Sequence, residues 1–423
     1  MSSACSCRAC NISKPGSILL IAIFALAAGA VPVQFPGEVQ QDGVIYVRNS
    51  EIPSQGLVTL SLREIWRAGG EDDEILFGII NSALADENGN VYLLDRQLSE
   101  VHVYSPAGEH LRTLSREGEG PGEVQYPTSL LFTPDGALGL VQTFPGKIVK
   151  INLDGTPTGT VSLGGDDPST GGFHFLSTAQ CQNGHLLVCG SRMTPVEGTM
   201  VRIQYLAKIQ EDGSETVRYL EKTSRQQGAD FKWKENENYF VDPHRWTLGM
   251  DGRVYAATQR DYYQINVYGL DGELERVVER EFIPYKRTEE EKERVRQGIQ
   301  VSINGREAEK EIADFAPCIS SLQVNDDGNL WVLHSRSDHD LPDGIMMVYD
   351  IFDPEGHFLR QAGIACKGDA QEDRLFLLGS DRVILVRNWR SASLSRLGNL
   401  GQENAEGGEE VSPLEVICCE IEP

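Results

Sequence analysis

Arginines recur at one place in a repeated sequence pattern. Of all residues in the chain, they indicate a binding function most clearly by their type and spacing. The pattern is a hairpin glycine inside an apolar run; the sixth residue after that glycine is Asp95, Gln142, Gly190, Thr258 or His334. Just beyond it, or at the matching place of a less regular sixth copy, stand Arg96, Arg192, Arg260, Arg336 and Arg387. Arginine donates two parallel hydrogen bonds to carboxylates, sulfates and phosphates. The spacing therefore predicts a ring of arginines that binds an anion, with His334 beside it.

These arginines also have a second interpretation, because acidic residues stand close to them in the chain. Asp95, Asp261, Asp338 and Asp340 offer local ion pairs. The chain has 63 Asp and Glu against 38 Lys and Arg, which gives a formal net charge of −25 at pH 7. A surface of that charge repels nucleic acid and anionic membranes, so we expect neither as a partner.

The repeat itself predicts the fold. Apolar runs with a hairpin glycine occur at Gly89, Gly136, Gly184, Gly252 and Gly328, which are 47, 48, 68 and 76 residues apart. Residues 380–386 form a degenerate sixth copy. In the first copy, residues 83–114 contain four short strand-like runs separated by turn signals. A four-stranded unit of about 40–50 residues is typical of a propeller blade. The sequence predicts an all-β chain, a six-bladed β-propeller of four-stranded antiparallel blades.

The two ends of the chain are expected to meet in one blade. After residue 386 only one more strand-like run follows, residues 414–421, so the sixth blade lacks a strand. Upstream of the first blade, residues 57–66 form an apolar run without a partner. Supplying this run to the sixth blade leaves fewer exposed sheet edges. We therefore expect the N-terminal strand to close the propeller.

Parts of the sequence resemble a known repeat. Residues 77–111, with GNVYLLD followed by SEVHVYSPAGEHL, resemble the repeat of NHL-type six-bladed propellers. The glycine-rich link at residues 116–124 and the lead-in at residues 42–49 are similar to those of exported bacterial six-bladed propellers. The resemblance implies the propeller fold. It does not imply one function, because a fold does not fix a function.

Catalysis is the alternative that the resemblance brings, because six-bladed relatives include a zinc-dependent lyase and calcium-dependent lactonases. A zinc site needs about three histidines, and only His334 stands at a ring position. Calcium needs several converging oxygens, and the matching places offer only Asp95 and Asn388. No nucleophile, phosphate-binding or paired-carboxylate motif occurs. We predict no catalytic residue, no metal ligand and no cofactor; zinc or calcium enters only under the enzyme alternative.

The first thirty residues are typical of a secretion signal. Arg8 and Lys14 precede an apolar run at residues 17–26, which ends in Ala28-Gly29-Ala30. We expect residues 1–30 to be a signal peptide, 31–56 a lead-in and 57–423 the propeller. The protein is then periplasmic or secreted; an uncleaved N-terminal anchor is the alternative.

One insertion is expected to be helical. Thr288 and Glu291 form a capping-box pattern at the start of residues 286–314, and Asn304-Gly305 is expected to divide the segment into two helices. Few apolar positions follow, so the segment should either cover one face of the propeller or form a solvated, charged spacer. Together these features predict a monomer that acts without catalysis, either by binding a protein, a peptide or a small anion at the channel mouth or as a scaffold that uses its outer rim. The runner-up is a metal-dependent lyase or lactonase.

Overall fold

The computed structural model describes residues 36–71, 73–164, 172–197, 199–226, 232–299, 301–303, 306–399 and 412–422. The expected signal peptide, residues 1–30, and the expected turn at Asn304-Gly305 lie outside these ranges. None of the helices within them is long and apolar enough to cross a membrane.

The first three repeats each form an antiparallel sheet of four strands in sequence order. Three strands precede them: β1 (Gly37–Gln41), β2 (Val44–Asn49) and β3 (Leu57–Gly69). The first sheet contains β4 (Ile80–Ala85), β5 (Val91–Asp95), β6 (Glu100–Tyr104) and β7 (His110–Leu114). The second contains β8 (Pro127–Phe132), β9 (Leu138–Gln142), β10 (Lys147–Ile151) and β11 (Pro157–Ser162). The third contains β12 (Phe173–Gln182), β13 (His185–Val196), β14 (Thr199–Ile209) and β15 (Glu215–Gln226).

The fourth sheet has six strands rather than the expected four. After β16 (Lys232–Lys234) and the short helix α1 (Glu235–Asn238), the repeat supplies β17 (Trp246–Leu248), β18 (Val254–Ala256), β19 (Gln264–Tyr268) and β20 (Leu274–Arg280). The lead-in strand β2 pairs parallel with β20, and β1 pairs with β2. The lead-in therefore covers an edge that the repeat alone leaves open.

The insertion after β20 is helical only in its first half. Helix α2 (Glu289–Gly298) begins with the expected capping box, in which Thr288 and Glu291 exchange hydrogen bonds. The expected second helix is wrong, because strands β21 (Ser302–Ile303), β22 (Arg306–Glu307) and β23 (Glu309–Glu311) follow. Strand β23 pairs parallel with β16, where Lys232 forms ion pairs with Glu309 and Glu311. Pairing with a distant strand of opposite charge outweighs local helix propensity here.

The fifth and sixth repeats form one sheet of eight strands that also contains β3. The fifth repeat supplies β24 (Ile319–Val324), β25 (Leu330–His334), β26 (Ile345–Phe352) and β27 (Phe358–Ala365). The sixth supplies β28 (Arg374–Leu378), β29 (Arg382–Arg387), helix α3 (Trp389–Asn399) and β30 (Glu415–Glu422). Strand β3 lies between β27 and β30; it pairs antiparallel with β30 and parallel with β27. Helix α3 was not expected from the sequence.

Consecutive sheets pack face to face, which gives a β-propeller architecture. The described core consists of six hydrophobic clusters, and each joins residues of two neighbouring repeats; the cluster between the fifth and sixth repeats lies within the eight-stranded sheet. One of them joins the last sheet to the first, because Trp66 of β3 stacks on Tyr104 of β6 with 5.0 Å between ring centroids. The first strands of successive sheets also contact one another, as in the hydrogen bond from Asn81 Nδ2 to the Thr128 carbonyl at 2.6 Å. Every residue of β5 and β9 is buried, because both faces of these strands meet a neighbouring sheet.

We predict that Trp66→Ala lowers the free energy of unfolding by about 3–5 kcal/mol, because Trp66 is 6% exposed and fills the contact between the last and first sheets. Ile65 on the same strand is 36% exposed. Ile65→Ala should therefore change the stability by less than about 1 kcal/mol. Urea unfolding of both variants checks the prediction. Equal losses in the two variants would contradict it.

Candidate functional site

The three helices within the described ranges gather at one end of the sheets. In an antiparallel meander, the turns between the first and second strands lie at the end opposite to those between the second and third. Helix α3 connects the second and third strands of the sixth repeat, and α1 and α2 lie in connections that lead into the first strand of a sheet. All three connections therefore lie at the same end, which we call the insertion face.

The six residues singled out from the repeat belong to this end as well. Arg96, Arg260 and Arg336 follow the second strands of their sheets, while His334 and Arg387 end β25 and β29. Arg192 lies within the longer strand β13, where it pairs in register with His174 and Ile203.

Arg260 is held by acids of its own chain. Its side chain is 6% exposed and contacts Asp261 at 2.7 Å, Glu235 at 3.0 Å and the carbonyl of Phe315 at 2.6 Å. Glu235, the first residue of α1, also binds Arg287 at 2.7 Å. Burial by itself raises the pKa of Glu235, but the hydrogen bonds from Arg287 and Ala313 lower the pKa overall. For Arg260, the local ion pair therefore describes the structure better than a free anion-binding side chain.

His334 belongs to a buried cluster around Asp350. Its Nδ1 accepts a hydrogen bond from the Arg336 backbone at 3.1 Å, and its Nε2 lies 3.4 Å from Asp350 Oδ1. Tyr263 donates to Asp350 at 2.8 Å, and Arg280 forms a buried ion pair with it. Burial alone raises the pKa of Asp350, yet His334 and Arg280 bring the pKa below its usual value. This cluster holds the fourth and fifth sheets together.

The remaining arginines have mixed environments. Arg336 Nε donates to the carbonyl of Ile283 at 2.8 Å, and its Nη1 lies 3.7 Å from Asp340. Arg387 lies 3.6 Å from Asp373, and Arg96 is exposed. Anion binding by a complete ring of five arginines stays a prediction.

The insertion face contains a cleft of about 370 Å³ beneath α2. We call it the α2 cleft. Helix α2 forms one wall, the loop after β25 forms another, and α3 closes the side. Its polar lining includes Arg287, Glu291, Arg294, His334, Asp338, His339, Gln371 and Arg390, and its apolar lining includes Val295, Leu333 and Met347. Of the residues singled out from the repeat, His334 lines it.

Two acids of the cleft are already engaged by a histidine. His339 Nε2 lies 3.0 Å from Glu291 Oε1, and His339 Nδ1 lies 2.6 Å from Asp338. The Tyr285 ring packs 3.7 Å from the His339 ring and its hydroxyl donates to Glu291. Burial by itself raises the pKa of Glu291, but the hydrogen bonds from His339 and Thr288 lower it to about 2. Glu291 therefore caps α2 and joins the helix to the loop after β25.

Two arginines of the cleft lack close carboxylate partners among the residues that the structure describes. Arg294 donates to Gln371 at 2.7 Å and its contact with Glu291 is 3.9 Å long; within the same residues its buried Nε has no hydrogen-bond partner. Arg390 donates to the carbonyl of Arg294 at 3.5 Å and forms no ion pair within the described ranges. Sequence reasoning missed both, because they lie on helices outside the repeat and no sequence motif marks them.

The positions considered for metals have other partners. Asp95 is fully buried and accepts backbone hydrogen bonds from Gly78, Ile79, Gln97 and Leu98. Asn388 donates to the carbonyl of Pro413. Across the described ranges, no group of three His, Cys, Asp or Glu residues is arranged to hold a metal ion. The cysteines in those ranges are free thiols.

We predict that Asp350→Asn costs about 3–5 kcal/mol of unfolding free energy at neutral pH, because it leaves Arg280 buried and unpaired. The pKa of Asp350 is depressed in the folded state, so its contribution is present above the unfolded pKa of about 4 and is lost at lower pH. The difference in unfolding free energy between the parent protein and Asp350→Asn should therefore shrink below about pH 4.

The control for this experiment is Glu275→Gln, which removes the charge of an exposed partner of Arg253. An exposed ion pair contributes up to about 1 kcal/mol. Denaturant unfolding from pH 3 to 8 measures both variants. If the stability difference between the parent and Asp350→Asn stays constant down to pH 3, the charge of the Asp350 carboxylate does not contribute to stability.

No family model matches the sequence, and no curated protein matches it. Solved structures do resemble it. A member of the DUF4221 family from Bacteroides vulgatus matches with a TM-score of 0.47 and 10% identity, over 86% of this chain and 98% of that one. An exported protein from Bacteroides fragilis matches with a TM-score of 0.43 and 12% identity, over 88% of this chain and 99% of that one. A virginiamycin B lyase from Staphylococcus aureus matches with a TM-score of 0.40 and 11% identity, over 78% of this chain and 83% of that one. At such identities a shared activity does not follow.

Proposed function

We propose that this protein is an exported, monomeric six-bladed β-propeller of NHL-like type that binds a small anionic ligand or acidic peptide without catalysis. Export is supported by the pattern of residues 1–30, and the NHL-like assignment by the repeat in residues 77–111. The binding site in this proposal is the α2 cleft.

Contacts between neighbouring sheets support a closed ring of six blades. Thr128 donates to the Ser177 carbonyl at 2.8 Å, which links the second and third repeats, and Gln323 donates to the Leu377 carbonyl, which links the fifth and sixth repeats. Trp389 Nε1 donates to the Ile80 carbonyl at 2.7 Å, which links the sixth repeat to the first. In this ring β3 is the outer strand of the sixth blade.

The observation that carries the binding proposal is the pair Arg294 and Arg390. Both line the cleft, and neither has a close carboxylate partner within the described ranges. The acids of the cleft, Glu291 and Asp338, are engaged by His339. A ligand carboxylate is thus the group that these two guanidinium ions lack.

The chemistry of the cleft also constrains the rest of the ligand. Val295, Leu333 and Met347 supply apolar surface next to the charged groups. A cleft that combines apolar walls with a few placed polar groups suits a ligand with an apolar part and one anionic end. We therefore infer a carboxylate attached to an apolar group, such as the C-terminus of a short peptide.

One observation favours the alternative of an enzyme. His339 lies between Asp338 and Glu291, with Tyr285 against its ring, and this set lines the same cleft. A histidine held by carboxylates is a common general acid or base. A metal-dependent lyase or lactonase needs zinc or calcium in addition.

We predict that Arg390→Met weakens binding of an apolar carboxylate by about 10–150-fold, which corresponds to the loss of one charge-assisted hydrogen bond. Calorimetric titration with N-acetylated short peptides and their C-terminal amides measures this. The amides should bind weakly to the parent protein. Arg116→Met is the control, because Arg116 is exposed and pairs with Glu123 away from the cleft.

The same titrations distinguish the alternatives. Tight binding of peptide acids by the parent and Arg116→Met, but not by Arg390→Met, supports the proposal. Equal binding of acids and amides would contradict it. A thermal midpoint that falls on addition of EDTA and recovers with zinc or calcium would favour the enzyme.

A further inference from the structure

Polar residues recur at a bulge in the first strands of the sheets. In the β4–β5 pair, Ile80 pairs with Asp95 and Ser82 pairs with Leu94, so Asn81 has no partner. The first strands β8, β12 and β24 carry the same irregularity at Thr128, Ser177 and Ser320. A bulge re-aims the side chain of the extra residue.

The fourth and sixth repeats place larger polar residues at or next to the matching position. The Ala257 backbone N–H donates to the Arg245 carbonyl, which extends the β17–β18 register and puts His244 at the bulge position. Strand β28 has no bulge; Arg374 pairs with Val386 as Ser82 pairs with Leu94, so Arg374 stands one residue after the matching position, which Asp373 occupies. We call the five bulge residues together with Arg374 the bulge ring: Asn81, Thr128, Ser177, His244, Ser320 and Arg374.

The bulge ring faces solvent although it lies on the innermost strands. All its members are partly or fully exposed, whereas the residues before four of them, Ile80, Pro127, Leu176 and Ile319, are buried. In the closed six-bladed ring proposed above, on which this inference rests, the first strands surround a central channel. The bulge ring then lines that channel near the insertion face.

One hydrogen bond crosses this channel. Arg374 Nη2 lies 3.1 Å from His244 Nε2, so the sixth repeat contacts the fourth, past the fifth. Arginine only donates, so His244 Nε2 accepts, and the imidazole proton lies on Nδ1. The guanidinium Cζ lies 4.5 Å from the centre of the Trp389 ring and 5.0 Å from that of Phe376. These contacts hold the guanidinium in place.

The positive charge of Arg374 is not balanced by the ring. Burial, together with the charges of Arg374 and Arg245, lowers the pKa of His244 to about 3, so His244 is neutral near pH 7. Burial also lowers the pKa of Arg374 to about 10. Within the described ranges Arg374 forms no ion pair, and Asp242, two residues before His244, instead contacts Ser177. An anion from solution can therefore bind this guanidinium.

We propose that the bulge ring is a second anion site, next to the α2 cleft, which binds a small carboxylate on the Arg374 guanidinium. Arg374 supplies the charge and a pair of N–H donors, and His244 supplies its Nδ1–H. Ser320, which lies on both the bulge ring and the α2 cleft, supplies a hydroxyl. Asp373, the acid next to Arg374, already accepts hydrogen bonds from the backbone N–H groups of Asp369 and Asn388. The donors around Arg374 therefore suit a carboxylate from solution.

Formate is the probe, because it is the smallest carboxylate. Sodium formate should raise the thermal unfolding midpoint of the parent protein more than sodium chloride does at equal ionic strength. At a hundred times the dissociation constant, binding adds about 2.7 kcal/mol. In Arg374→Met, which keeps an aliphatic chain against Trp389, the formate-specific shift should be lost. Arg374→Lys keeps the charge but lacks the paired donors, so its formate affinity should fall at least about tenfold.

Three outcomes would overturn the proposal. These are an equal shift with chloride, a formate shift that persists in Arg374→Met, and an affinity of Arg374→Lys equal to that of the parent. If Arg374→Met does not fold, the lysine variant alone decides. Arg390→Met, which tests the α2 cleft, should retain the formate shift. If Arg390→Met loses peptide binding and the parent shows no formate-specific shift, the proposed anion site at the bulge ring is wrong and the proposed peptide site in the α2 cleft is retained.

Discussion

The structure depends on one constraint: each sheet has two apolar faces, and only neighbouring sheets can cover them. The clusters between consecutive sheets satisfy this requirement along the chain, and the cluster around Trp66 and Tyr104 satisfies it between the last sheet and the first. Gly108 shows how tight this contact is. Its φ of 89° favours glycine, and an added Cβ would lie 2.4 Å from the Cβ of Trp66. The long-range pairing of β3 with β30 brings Trp66 to this place.

The same constraint determines which charged groups need a partner. Charges on the acidic surface stay in water, whereas arginines that lie between packed elements need hydrogen-bonding or ionic partners. Arg280 and Arg260 have acids, Asp350 and Glu235, at buried positions. Arg294, Arg390 and Arg374 have carbonyl, amide or imidazole partners instead of close carboxylates. The contrast between these two groups is what distinguishes stabilising arginines from candidates for ligand binding, since every one of them is positively charged at neutral pH.

The sequence predicts the repeated sheets well because their signal is local. A hairpin glycine between two apolar runs specifies neighbouring strands, and the capping box at Thr288 specifies the start of α2. Partners far apart in the chain leave no such signal. The pairing of β2 with β20, the strand at residues 309–311 and the helix after β29 therefore escaped prediction. The candidate site residues follow the same rule. The repeat register places His334 and Arg260 at the insertion face, but it does not indicate their partners Asp350 and Glu235, which lie 16 and 25 residues away in the chain.

The position of β3 between β27 and β30 also determines when the fold can be completed. Residues 57–69 emerge from the ribosome long before residues 415–422, and their place in the sheet does not exist until the final strand has been synthesised. Until then the apolar residues of β3 and the open faces of the first and last blades remain uncovered. The chain thus has a built-in delay between synthesis and final folding. A polypeptide that must stay unfolded to pass through a translocation channel benefits from such a delay, because β3 cannot pair before β30 has followed it.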